Sequence, residues 1–157
     1  MNKRMMDVMN VDYNDRNQII EWEKKCGVPH IIHACFVVPK EPLFPTHTHG
    51  RTAIGEPELF INARAFGPKG NVQMINGVHA HLKFNPDDKI KINSGQTVEF
   101  PIGDGMTICL RKVGADFQAV RNAYVGIMPK GMSFIQIYVK GDDFALTNEY
   151  YAAREPY

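Results

Sequence analysis

Thr97-Val98-Glu99-Phe100-Pro101-Ile102, then Gly103-Asp104-Gly105, then Met106-Thr107-Ile108-Cys109-Leu110-Arg111-Lys112-Val113 is the stretch that decides the fold. Two runs rich in β-branched and apolar residues flank a Gly-Asp-Gly turn that tolerates left-handed backbone, which predicts a β-hairpin. Upstream, Asn93-Ser94-Gly95 marks another turn, and Lys89 to Ile92 is expected as a strand that makes the hairpin a three-stranded meander. Downstream, Ser133 to Lys140 alternates, with Ile135, Ile137 and Val139 on one face and Gln136 and Tyr138 on the other, as a closing strand does. Between them Asp116 can cap a helix that carries Phe117, Val120 and Tyr124 on one side and stops at Gly126 or Pro129.

Toward the amino terminus, Gly67-Pro68-Lys69-Gly70-Asn71 is a turn, and Val72, Ile75, Val78 and Leu82 follow at helical spacing in spite of Gly77. Glu58 to Ala65 reads as a strand with Leu59, Ile61 and Ala63 on one face. Ile31 to Val38 is apolar on both alternating faces, which predicts a strand covered on both sides and central in a sheet. Pro39, Pro42 and Pro45 then lead to Thr46-His47-Thr48-His49, a short extended segment expected near an edge. Asp15 to Cys26 reads as a capped helix ended by Gly27. Strands and helices mix without a repeating strand-helix unit. The expected fold is α+β, with a central mixed, mostly antiparallel sheet of about six or seven strands and two or three packed helices.

At 157 residues the chain suits one domain with its own core. Residues 1–12 read as a flexible arm, 13–143 as the domain, and 144–157 as a tail carrying Phe144, Tyr150, Tyr151 and Tyr157. Lys plus Arg total 18 against 17 Asp plus Glu, so no net field exists to gather nucleic acid or an anionic membrane. No leader-like or membrane-spanning apolar run is read, and Cys26, Cys35 and Cys109 lack the spacing of a zinc or redox pair. The expectation is a soluble cytoplasmic protein, without nucleic-acid or membrane partners.

Thr48-His49-Gly50 followed by Gly55-Glu56-Pro57-Glu58-Leu59, with Ile75-Asn76 and Ile135-Gln136-Ile137 further on, resembles an uncharacterised bacterial family, domain of unknown function forty-two sixty-two. The resemblance runs from about Ile31 to Asp143. His47, Arg51 and Glu56 stand where that family commonly has an aromatic, an apolar and a basic residue. The resemblance implies a single-domain fold and hands over no activity.

All six histidines fall in close pairs: His30 with His33, His47 with His49, His79 with His81. On a strand, His47 and His49 would point to one side and suit one divalent ion, with Glu58, His33 or His81 as further donors. On a helix, His79 and His81 would diverge by about 200°. The alternative for these histidines is a hydrogen-bonded structural role. Arg51, Glu58 and Arg64 suggest a buried ion pair or a polar cleft, and Gln136 a satisfied backbone group or a cleft residue. Gly67-Pro68-Lys69-Gly70 lacks full phosphate-loop spacing and reads more simply as a helix start. Neither Ser94 nor Ser133 has nucleophile-elbow flanks.

These residues favour a non-enzymatic binding or interaction module, of accessory, immunity or ligand-sensing type and without a cofactor, that uses Thr48, Gly50, Arg51, Glu58, Arg64 and Gln136. The competing expectation is a metal-dependent hydrolase or isomerase in which His47, His49 and Glu58 hold zinc or a similar ion. A homodimer formed through edge strands or the aromatic tail is a third.

Overall fold

The computed structural model describes residues 17–18, 21, 31–34, 46–61, 66–114 and 133–142. The strands are β1 (Ile31–Ala34), β2 (Thr46–His49), β3 (Glu58–Ile61), β4 (Val98–Gly103), β5 (Met106–Val113) and β6 (Phe134–Val139). Helices α1 (Gly67–Phe84) and α2 (Pro86–Asn93) lie between β3 and β4, and a 3-10 turn spans Thr52–Ile54. The architecture is α+β. Asn17, Gln18 and Glu21 are helical; the rest of the expected helix over 15–26, the helix after Asp116, the arm over 1–12 and the tail over 144–157 lie outside the described residues. Among the described residues no helix is long and apolar enough to cross a membrane.

The strands form one mixed sheet in the order β1-β2-β3-β6-β5-β4. β3 and β6 run parallel, Leu59 opposite Ile135 and Ile61 opposite Ile137, while the other neighbours are antiparallel. A parallel pair needs a long crossover, and both helices and the β4–β5 hairpin lie in the chain between β3 and β6. The hairpin forms where its turn chemistry places it. Gly103, Asp104 and Gly105 all have positive φ, and Pro101 is tolerated because β4, among the described residues, ends the strand order on that side.

Alternation decides which side each strand buries. Leu59, Ile61, Ile108, Leu110, Ile135 and Ile137 pack with Ile75, Val78, Leu82 and Ile92 from the helices into one core. Each such side chain contributes roughly 1.5–3 kcal/mol when fully buried. Phe60, Cys109, Gln136 and Tyr138 occupy the alternate positions, and all are buried as well. The sheet is therefore covered on both faces.

Three expectations need correction. Lys89 to Ile92 is not a strand but part of α2. Pro86 pushes Asn85 out of the helical region and ends α1, then pre-sets the first turn of α2, where Asp87 and Asp88 complement the helix dipole. Ile90 and Ile92, which would share a strand face with this spacing, turn to opposite sides of the helix: Ile92 is fully buried and Ile90 is 66% exposed. β1, expected at the centre, ends the strand order among the described residues, and Thr46–His49, expected near an edge, lies between β1 and β3 with all four residues buried. Apolar periodicity reports what lies above and below a strand, not what lies beside it.

Candidate functional site

β2 runs into a tight reversal at Gly50, whose φ of 103° suits glycine and returns the chain toward β3. Backbone pairing of β2 with β3 reaches Thr46 opposite Ile61 and His47 opposite Phe60. Beyond it, the Thr48 hydroxyl accepts the Leu59 amide at 2.9 Å and donates to Glu58 Oε1 at 2.8 Å, so a side chain extends the ladder by one step. Glu58 Oε1 also accepts the Arg51 amide at 3.3 Å, and Oε2 accepts both the Thr52 amide and its hydroxyl at 2.6 Å. Four donors thus meet one carboxylate that is only 1% exposed. Burial pushes its pKa up, while the Thr52 and Thr48 hydrogen bonds and the Arg51 charge pull it back.

Arg51 is just as buried. Its Nε donates to the Pro57 carbonyl at 2.6 Å, and one terminal nitrogen meets His79 Nδ1 on α1. The other lies 4.0 Å from Glu56 Oε2, and Glu56 in turn pairs with Lys89 on α2. Partly desolvated and beside that guanidinium, His79 is held neutral, its pKa lowered to about 4. Arg51 thus pairs with a partly exposed Glu56, while Glu58 meets Arg51 through the backbone amide. Thr48, Gly50, Arg51 and Glu58 are brought together as a sealed clamp joining the 3-10 turn to β2, β3 and both helices. Arg64 lies outside the described residues.

The alternate face carries the other polar residues. Gln136 is fully buried between Phe60 and Arg111 in register, and its Oε1 accepts Arg111 Nε at 2.7 Å. His47 and His49 do converge, Nε2 to Nε2 at 3.1 Å, with both side chains buried. Two of the further donors expected for them are committed elsewhere: Glu58 to its four donors, and His81 to Asp88 Oδ2 at 2.7 Å. Among the described residues no group of three metal-ligating side chains gathers. His79 and His81 diverge on α1, one toward Arg51 and the other toward α2. Cys109 is buried beside Tyr138, and burial raises its thiol pKa, which suits a small core residue rather than a nucleophile.

One opening was not read from the sequence. A cleft of about 590 Å3 runs between α1 and the β4–β5 hairpin. Gly70, Gln73, Met74, Gly77, Val78 and His81 line its helical wall, and Phe66, Phe100, Ile102 and Met106 complete it. Those helical positions recur every three or four residues, so they form one face. The helix forms in spite of Gly77, as expected, and a Cβ there would meet nothing within 4 Å. His81 stacks on Phe100 at 4.6 Å between ring centres, which fixes it in the wall. The available signal was the pair of glycines seven residues apart on a helix face that also carries Met74.

Comparison with protein-family models, curated proteins and solved structures finds no match to this chain.

Proposed function

We propose that this chain is a non-enzymatic ligand-binding module that takes a small, mainly apolar molecule in the cleft between α1 and the β4–β5 hairpin. The cleft carries this reading: its volume lies within the roughly 300–1,000 Å3 of small-molecule sites, and its lining is apolar with a few polar points. Gly77, where a Cβ would meet nothing within 4 Å, leaves helix backbone open to an occupant, whereas Gly70 admits Phe66 against the helix, and Gln73 and His81 supply orientation. His81 reaches the wall with Nε2 already bonded to Asp88, which favours a fixed polar contact over proton transfer. The buried clamp of Thr48, Arg51 and Glu58 serves in this reading to hold the scaffold that presents the cleft. The resemblance to the bacterial family of unknown function belongs to the same proposal, because Thr48, Gly50, Pro57 and Glu58 build that clamp. In the same reading the module works in a reducing, cytoplasmic compartment, which an odd cysteine count fits.

The test titrates the full chain with two probes, dodecanoate by calorimetry and 1-anilinonaphthalene-8-sulfonate by fluorescence. Saturable binding near one equivalent, lost in Gly77→Phe with thermal stability retained, is expected. Lack of saturable binding of both probes, or equal binding by the variant, would remove the reading.

A further inference from the structure

We propose that the occupant of the cleft is an uncharged, planar fused-ring aromatic with one hydroxyl or N–H at its rim, lying on Gly77 between Gln73 and His81. This ligand class rests on the cleft reading and narrows it.

Spacing along α1 lays out the seat. Gln73, Gly77 and His81 recur every four residues, so they stand in one row on the helix, with the glycine about 6 Å along the axis from each of the other two. Gly77 is exposed, and a Cβ there would meet nothing within 4 Å. The bare peptide is therefore a floor that a flat ring reaches at van der Waals distance. The row ends on His81, whose ring lies over Phe100 with centres 4.6 Å apart and planes inclined by 14°. Asp88 Oδ2 holds the imidazole through Nε2 at 2.7 Å, so this stacked pair is fixed before any occupant arrives. A further ring laid against the pair continues the arrangement, whereas an alkyl chain gains only buried area.

The walls select among apolar molecules. Met74 and Met106 line the cleft together with Phe66 and Phe100. Thioether sulfur and aromatic side chains both favour a π system beyond the area it buries, so these contacts reward an aromatic occupant over a saturated one. No Lys, Arg, Asp or Glu is among the described residues that line the cleft. An ionised group drawn into it would lose water without gaining a partner, which excludes carboxylates and ammonium groups from the enclosed part of the occupant. At the other end of the row Gln73 is exposed, and its amide both donates and accepts. It suits a hydroxyl or N–H at the rim of the ring, where the cleft meets water.

The experiment titrates the full chain by calorimetry with 2-naphthol, decahydro-2-naphthol and 2-naphthoate. The first two share a carbon skeleton and a hydroxyl and differ in planarity and π surface; the third keeps the ring and adds a charge. 2-Naphthol should bind near one equivalent, about 10-fold tighter than either of the others. In the unaltered chain its ring current should shift the Gly77 amide and Gln73 side-chain amide resonances, so the result does not depend on a variant folding. Gln73→Leu should weaken 2-naphthol about 5-fold and leave naphthalene unchanged. Decahydro-2-naphthol binding as tightly as 2-naphthol, or dodecanoate binding where 2-naphthol does not, overturns the aromatic class and leaves the cleft reading standing; no binding of these probes or of the earlier two removes both. Equal binding of 2-naphthoate overturns the uncharged occupant. Shifts confined to other residues overturn the placement, and unchanged affinity of Gln73→Leu for 2-naphthol overturns the rim contact.

Discussion

Thr48 and Glu58 are bound hydroxyl to carboxylate at 2.8 Å, and the same hydroxyl accepts the amide of Leu59, the residue after Glu58. One threonine thereby ties a buried acid to the strand that bears it. Removing either partner leaves buried polar groups without their match, and the loss exceeds the worth of a single hydrogen bond.

Glu58→Gln places an amide NH2 among four donors, so at least one of the Thr52 or Arg51 contacts becomes repulsive. A loss of about 2–3 kcal/mol is expected, with Thr48→Val losing about 1–2 kcal/mol. Urea denaturation of both single variants and the double should show a double loss smaller than the sum, since the two share one network. Additive losses would mean that the residues act separately.

His79 makes stability depend on pH. Its folded pKa of about 4 lies below its ordinary value of 6.5, so between those values the unfolded chain binds a proton that the folded chain refuses. Its contribution is complete above pH 6.5 and is lost as the pH falls toward 4. His79→Gln keeps an acceptor for Arg51 and removes the titration. Measured from pH 7.5 to 4, the parent chain should lose about 1–2 kcal/mol more than the variant, a figure reduced for partial exposure. Parallel pH curves for the two proteins would refute the assignment.

The two cleft glycines should respond in opposite directions. A Cβ at Gly70 would lie 2.6 Å from Phe66 Cβ, so Gly70→Ala forces a shift and should lose about 1–3 kcal/mol. At Gly77 the same methyl meets open space, and Gly77→Ala should gain about 0.5–1 kcal/mol from helix propensity. Thermal melts read both. A destabilised Gly77→Ala would show that the cleft wall is more crowded than its geometry indicates.

Gln136 carries a prediction on the opposite face. Fully buried itself, Gln136 accepts the part-buried Arg111 Nε at 2.7 Å through its Oε1, and the guanidinium also lies 5.7 Å from the Tyr138 ring centre. Gln136→Leu removes the acceptor from a charged donor and should lose about 1.5–3 kcal/mol, whereas Gln136→Glu keeps an acceptor for Arg111 and should lose less. Equal losses by chemical denaturation would show that shape, not the acceptor, matters at this position.

Much of the fold was legible wherever a rule is local. Gly103-Asp104-Gly105 specifies its own turn, Val72 to Leu82 its own helix face, and Phe134 to Val139 its own alternation; the structure places all three as their patterns require. α2 stands where a strand is expected because Asn85-Pro86-Asp87-Asp88, a helix start written in the sequence, sets the backbone ahead of Lys89 to Ile92. Of the candidate site, the burial of Arg51 and Glu58 as partnered charges was foreseeable, since neither tolerates an apolar setting alone. Their actual partners, Pro57 and His79 for the Arg51 side chain and Thr52 for Glu58, were not.

The sequence by itself determined the α+β class, the β4–β5 hairpin, helix α1 and strand β6 with the faces they turn inward, because backbone conformation and amphipathic period are set within a few residues. Only the tertiary structure decided that β1 lies beside β2 with His33 across from His47, that a strand of threonines and histidines is buried, and that the helix face carrying Gly77 lines a cleft with Phe100 and Met106. Those outcomes depend on which distant segments satisfy one another's hydrogen bonds and volume. That competition runs over the whole chain, and no local period encodes its result.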